Sequence, residues 1–174
     1  MAAPAQTNRV PLDVYLRTSW EPDAEYVDGV IEERPMGEWS HADWQAAVVE
    51  FFRNHRKEWN IRVAPELRVQ VTPGNYRVPD ITVLDRNQPI EQIITHPPVA
   101  VIEILSPEDS VGRMLKKLRE YEEMGIQTIL VLNPNGDDHY RFSASGLTPL
   151  KETAFDLPGS SCRFDLNQIK SLLD

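Results

Sequence analysis

The sequence predicts an α/β fold, a mixed central sheet flanked by helices with a β-hairpin near the N-terminus. Three observations carry that expectation. Glu25-Tyr26-Val27-Asp28-Gly29-Val30-Ile31-Glu32 places Asp-Gly, a strong type I′ turn pair, between two short strands. The segment from His41 to about Lys57 carries Trp44, Ala47, Val48, Phe51 and Phe52 on one helical face. The stretch from Val99 to Leu132 reads as strand, helix, strand, the signature of a crossover between parallel strands.

The remaining elements follow in order. Residues 1–9 read as a disordered tail, and residues 10–174 as one domain. Pro11 to Trp20 holds a short helix, and Ser40 is the expected N-cap of the helix after it. Ile61 to Val71 and Tyr76 to Leu84 read as two strands joined by the turn Thr72-Pro73-Gly74-Asn75, hence antiparallel. Val99 to Leu105 is a third strand. A helix is expected from about Asp109 to Met124, with Gly125 as its C-terminal cap glycine, followed by a buried strand from Ile126 to Leu132. Shorter strands are expected near His139–Ser143 and Leu147–Glu152, and a last helix near Leu166.

Composition limits the function. The 174 residues are 41% hydrophobic and 26% charged, ordinary for a water-soluble globule. No run approaches the roughly 18 apolar residues that span a bilayer, and Met1–Thr7 lacks the pattern of a secretory signal; a cytoplasmic location is the expectation. A single cysteine, Cys162, excludes an internal disulfide and a cysteine-built metal site, and reads as a small packed residue. The net charge of −9 disfavours tight nonspecific binding to nucleic acid, though a divalent cation can locally offset an acidic site.

Asp80, Glu103 and Lys117 are the candidate catalytic residues. Glu103 interrupts an otherwise apolar strand, where an unpaired carboxylate is costly. Alternation puts Asp80, Thr82 and Leu84 on one face of their strand, and Val101, Glu103 and Leu105 share a face of theirs. If the strands are neighbours, the two carboxylates converge, and two carboxylates suit Mg²⁺ or Mn²⁺ with several retained waters. On the following helix Val111, Met114, Leu115, Leu118 and Tyr121 form an apolar stripe with Lys117 at its edge. Lys116 points nearly opposite. Lys117 can lay its stem on apolar surface and present its ammonium to a cleft.

Plainer readings stand beside these. Glu103 could pair with Arg68 or Arg77, Asp80 could cap a turn after Pro79, and Lys117 alone could be a surface lysine. Glu25 could add a third carboxylate or be a solvated hairpin residue. His41 and Arg77 could support the site or serve structure alone. Glu50 is a weak candidate, and Ser106 with His41 lacks the elbow motif of a serine hydrolase.

The motifs Arg77-Val78-Pro79-Asp80-Ile81-Thr82-Val83, Val101-Ile102-Glu103-Ile104-Leu105-Ser106-Pro107 and Lys117-Leu118-Arg119-Glu120-Tyr121, with Gly125 after them, resemble the Uma2 family. The Glu25–Gly29 hairpin and the Ser40-His41 helix start resemble its N-terminal pattern, so the likeness covers roughly residues 10 to 155. It implies a restriction endonuclease-like fold of the PD-(D/E)XK superfamily, with Asp80 and Glu103 as metal ligands. The superfamily's lysine usually lies two residues after the acid, where this chain has Leu105. The resemblance implies that Lys117 replaces it. Arg113 stands where family members often carry an acid.

The expected function is therefore Mg²⁺-dependent hydrolysis of DNA phosphodiester bonds, with a homodimer as one way to cut two strands. The alternative is a catalytically inactive nuclease fold acting as a binding or assembly module, which the acidic charge and the displaced lysine favour. Hydrolysis of RNA or another phosphate ester is a third reading, and no base-reading motif is evident.

Overall fold

The computed structural model describes residues 9–34 and 37–174. The tail expected over residues 1–9 lies, apart from Arg9, outside the described residues. The chain runs through α1 (Leu12–Arg17), β1 (Ala24–Val27), β2 (Val30–Glu33), α2 (Trp39–His55), β3 (Ile61–Pro65), β4 (Val69–Thr72), β5 (Asn75–Arg77) and β6 (Ile81–Asp85). It continues through β7 (Ala100–Ile104), α3 (Val111–Met124), β8 (Thr128–Leu132), β9 (Tyr140–Ser143), β10 (Gly146–Pro149), β11 (Ala154–Asp156), β12 (Arg163–Asp165) and α4 (Leu166–Lys170). A six-stranded mixed sheet has the order β10-β9-β8-β7-β6-β3, a four-stranded sheet the order β2-β1-β5-β4, and β11 pairs with β12.

The expected hairpin is β1–β2. Asp28 and Gly29 adopt φ of 52° and 85°, the paired positive angles of its turn. The crossover is as the sequence predicts: β7 and β8 run parallel, with Glu103 opposite Val131, and α3 connects them. Helix α3 begins at Ser110, whose Oγ accepts from the Arg113 amide at 3.3 Å, and ends at Gly125 with φ of 99°. Helix α2 starts two residues before the expected His41. Glu38 is its N-cap position and makes no side-chain cap bond, so Ser40 lies inside the first turn rather than capping it.

The two strands expected over Ile61–Val71 and Tyr76–Leu84 are each broken in two. Glu66 takes a left-handed φ of 51°, and Val78-Pro79-Asp80 leaves the ladder where Pro79 has no amide to donate. The breaks lie side by side: the Asp80 carbonyl accepts from the Glu66 amide at 3.2 Å and from Gln45 Nε2 at 3.0 Å. The paired chains therefore pass from the smaller sheet (β4, β5) to the larger one (β3, β6). Their pairing is antiparallel on both sides of the break, and the Thr72–Asn75 turn joins β4 to β5 as expected. Residues on the two sides of the break share one strand's spacing but belong to different sheets.

Each face of the large sheet is covered by a helix. Trp44, Ala47, Val48, Phe51 and Phe52 of α2 pack on Ile81, Val83, Ile102 and Ile104. Met114, Leu118 and Tyr121 of α3 pack with Val101, Ile129 and Val131 on the other face. Each such side chain contributes about 2 kcal/mol relative to exposure. Val111, expected in the α3 stripe, is instead 75% exposed, because it stands at the helix's first position beyond the edge of the sheet.

Candidate active site

A cleft of about 250 Å³ opens where the two sheets part, between the first turns of α2 and α3. Ile81 pairs with Ile102 across β6 and β7, so Asp80, one residue earlier, falls beside Glu103 on the α3 side of the sheet. The Ile104 amide donates to Asp80 Oδ2 at 2.7 Å and ties the carboxylate to β7. Asp80 and Glu103 are 3% and 2% exposed and both line the cleft. The neighbour relation expected between the two strands thus holds in antiparallel form.

Asp80 is held by Arg34 and His41. Arg34 Nη2 bonds Oδ1, and His41 Nε2 lies 3.3 Å from Oδ2. Burial alone would raise the Asp80 carboxyl, but the His41 hydrogen bond and the Arg34 and His41 charges outweigh it and hold it below the usual carboxylate range. His41 is correspondingly pushed up by its bond to Asp80, against the opposing effect of burial.

Glu103 has a different environment. Its Oε1 accepts from the Tyr121 hydroxyl at 2.7 Å, and its Oε2 lies 3.2 Å from Lys117 Nζ. Burial pushes its carboxyl up to about 7, Lys117 works against that rise, and the charges of Asp80 and Glu25 add to it. The neighbouring acids therefore titrate apart, an arrangement common at sites that handle protons or bind cations.

Lys117 lies between two acids, 3.2 Å from Glu103 and 3.0 Å from Glu25 Oε1. Burial would lower its ammonium, but Glu103, Glu25 and Asp80 together raise it, so the lysine is charged. Lys116 projects away and pairs with Asp28 at 2.5 Å in solvent, as the helical phase predicts. Behind the lysine, Glu25 accepts from the Val78 amide at 3.0 Å and from Arg77 Nη1 at 2.9 Å. Burial raises Glu25, and Lys117, Arg77 and the Val78 bond bring it below its ordinary value. Arg77 is 1% exposed and also reaches Glu120 at 2.5 Å and Glu32 at 3.3 Å.

Asp80, Glu103, Lys117, Glu25, His41 and Arg77, all singled out in the sequence, therefore meet at one cleft. Glu103 pairs with neither Arg68 nor Arg77; its cation is Lys117. Arg68 lies 4.7 Å over the Tyr15 ring, away from the cleft, and Glu50 is on the exposed side of α2. Ser106 lines the cleft, and its amide donates to Asp109 at 2.8 Å. Leu105, at the position of the displaced lysine, packs into the apolar cluster under α3. Arg113 lies at the cleft mouth with a 57% exposed side chain. Sequence reasoning missed Arg34, Tyr121 and Glu120. Tyr121 falls on the apolar stripe and reads as core. Its hydroxyl, like any buried tyrosine's, needed a partner, and that was the available signal. Glu120 carried a weaker one, lying three residues beyond Lys117 on the same helix.

No group of three or more His, Cys, Asp or Glu side chains is placed to hold a metal ion among the described residues. Asp80 and Glu103 remain as two carboxylates facing one cleft. Three donors use Asp80 and two use Glu103, so each keeps lone-pair capacity. The pair fits a hard cation such as Mg²⁺ that takes one or two carboxylates and keeps most of its waters.

The sequence model of the Uma2 family, described as "Putative restriction endonuclease", matches residues 12–156. A crystal structure from Anabaena variabilis, described as "a putative nuclease belonging to DUF820", superimposes with a TM-score of 0.79 at 24% identity, over 95% of this chain and 99% of that one. At that identity the likeness is one of fold. A cryoEM structure of a DrdV–DNA complex aligns with a TM-score of 0.41 at 13% identity, over 74% of this chain and 11% of that one. No curated protein matches the chain.

Proposed function

The chain belongs to the Uma2 family, and on that premise we propose that it is a metal-dependent endonuclease hydrolysing DNA phosphodiester bonds at the Asp80–Glu103–Lys117 cleft. One observation supports this above the others. Two buried carboxylates, one just before β6 and one on β7, and a charged lysine from the following helix face one small cleft, and burial pushes Glu103 up to about 7 against the pull of that lysine.

Asp80 and Glu103 would hold the divalent cation. When bound, it would lower the pKa of a coordinated water and offset negative charge building on the phosphate. Asp80 enters this site already ionised and fixed by Arg34, His41 and the Ile104 amide. Glu103 is oriented by Tyr121, which leaves Oε2 turned to the lysine. The Lys117 ammonium, with three donors and two engaged by carboxylates, has one left for the attacking water or a non-bridging phosphate oxygen. Arg113 at the mouth, 3.5 Å from Glu32, would meet a flanking phosphate.

The test is cleavage of a labelled DNA, single- and double-stranded, with Mg²⁺ or Mn²⁺ and with EDTA. Cleavage that needs the metal and falls at least about 100-fold in Asp80→Asn or Glu103→Gln is expected. Equal cleavage by both variants and wild type would sink the assignment.

A further inference from the structure

Resting on the endonuclease reading, we infer that Glu25, fixed by Arg77, is a positioning residue for Lys117, and that Arg77 with Glu120 locks the rotation of α3 that presents this lysine. A side chain on a strand is aimed by the pleat of its sheet. One on a helix is aimed by the helix's rotation about its own axis. On a helix 10–12 Å across, a rotation of about 20° moves a surface atom by about 2 Å, and about 1 Å of misplacement can cost about 100-fold in rate.

The side chains around Lys117 form a closed ring that resists such rotation. Lys117 Nζ lies 3.0 Å from Glu25 Oε1, and Glu25 Oε2 accepts from Arg77 Nη1 at 2.9 Å. Arg77 Nε then donates to Glu120 Oε2 at 2.5 Å, and Glu120 is one helical turn after Lys117 on α3. Two further bonds anchor the ring to β5 and the residue that follows it: the Val78 amide to Glu25 at 3.0 Å and Asn75 Nδ2 to Glu120 Oε1 at 3.0 Å. Glu25, Arg77 and Glu120 are 4%, 1% and 7% exposed. Their burial separates them from solvated surface pairs, which constrain little. The proposed chemistry uses none of the three directly. Each acts only through the place it gives the lysine.

A double-mutant cycle separates positioning from general stabilisation. Rates on a labelled oligonucleotide with Mg²⁺ are compared for wild type, Glu25→Gln, Lys117→Ala and the double variant, each with its melting temperature. Glu25→Gln is expected to lower kcat about 10-fold with KM within about twofold, and to have less than about a twofold further effect once Lys117 is alanine. If Glu25→Gln does not fold, Glu25→Asp, which keeps the charge but withdraws it by one methylene, takes its place in the cycle. Glu120→Gln should repeat the pattern more weakly. An equal loss from the Glu25 change in both backgrounds, or an unchanged kcat with Lys117 present, overturns the positioning role alone. A Lys117→Ala enzyme as fast as wild type overturns this inference while leaving the endonuclease reading standing, and absence of metal-dependent cleavage by wild type overturns that reading and this inference with it.

Discussion

At the scale of single residues, the site is a competition between burial and neighbouring charge. Glu103 loses that competition. Its carboxyl is raised from the ordinary 4.5 to about 7, so the folded protein holds this proton more tightly than the unfolded chain does. Stability from this group is fully present below about pH 4.5 and is lost as pH rises through 7. In metal-free buffer, Glu103→Gln should therefore melt about 5 °C above wild type at pH 8 and close to it at pH 4.5. A lower melting temperature at pH 8 would contradict the assigned shift. Lys117 and Lys116 offer a second contrast. Lys117→Ala should remove most activity, by about 100-fold, whereas Lys116→Ala should change it less than about twofold, because Lys116 pairs with Asp28 in solvent. A rate assay on both variants decides between them.

The same contrast shows how much of the site was legible in the sequence. Helical phase separates Lys117 from Lys116, and strand alternation places Glu103 on the face that Asp80 shares. Both are local periodicities. Arg34 was not legible, since it approaches Asp80 from 46 residues away and lies in no periodic element. Arg77 was visible as a candidate, but its carboxylate partners come from β1, β2 and α3, a grouping that only the tertiary fold creates.

At the scale of elements, the decisive feature is the double break between β3 and β4 and between β5 and β6. Leu67, Val69 and Val71 alternate and Tyr76 to Leu84 is largely apolar, so the sequence reads two long strands. Only Pro79 and the left-handed Glu66 mark the change of sheet. Long continuous strands would keep Arg77 and Asp80 in one sheet. The break sends Arg77 back to the Glu25 hairpin and delivers Asp80 to Glu103. The caps of α3 were plain in the sequence because cap chemistry is local. Gly125 sits at φ of 99°, with only ordinary contact to Pro97 at 3.6 Å, so Gly125→Ala should cost about 1 kcal/mol through backbone strain rather than collision. Urea unfolding with an unchanged m-value would confirm it; a neutral substitution would contradict it.

At the scale of the whole molecule, the large sheet separates two apolar clusters and the site lies where the smaller sheet meets one edge of it. Phe52 is fully buried under α2, on the face opposite Lys117, and Phe52→Ala should cost about 3–5 kcal/mol while leaving kcat of the folded fraction within about twofold. Chemical denaturation and a rate measured below the transition test both halves. The overall charge of −9 has its own consequence. It disfavours a broad basic grip on DNA, so under the proposed function binding would rest on a cation at the cleft and on local cations such as Arg113 and Lys117. The most direct measurement is calorimetric titration of the metal-free protein with Mn²⁺ at pH 8, for wild type and for the Asp80→Asn, Glu103→Gln double variant. The wild type should bind the ion and the double variant should give no binding heat; absence of wild-type binding at millimolar Mn²⁺, or equal binding by both, would contradict the metal site on which the proposed function stands.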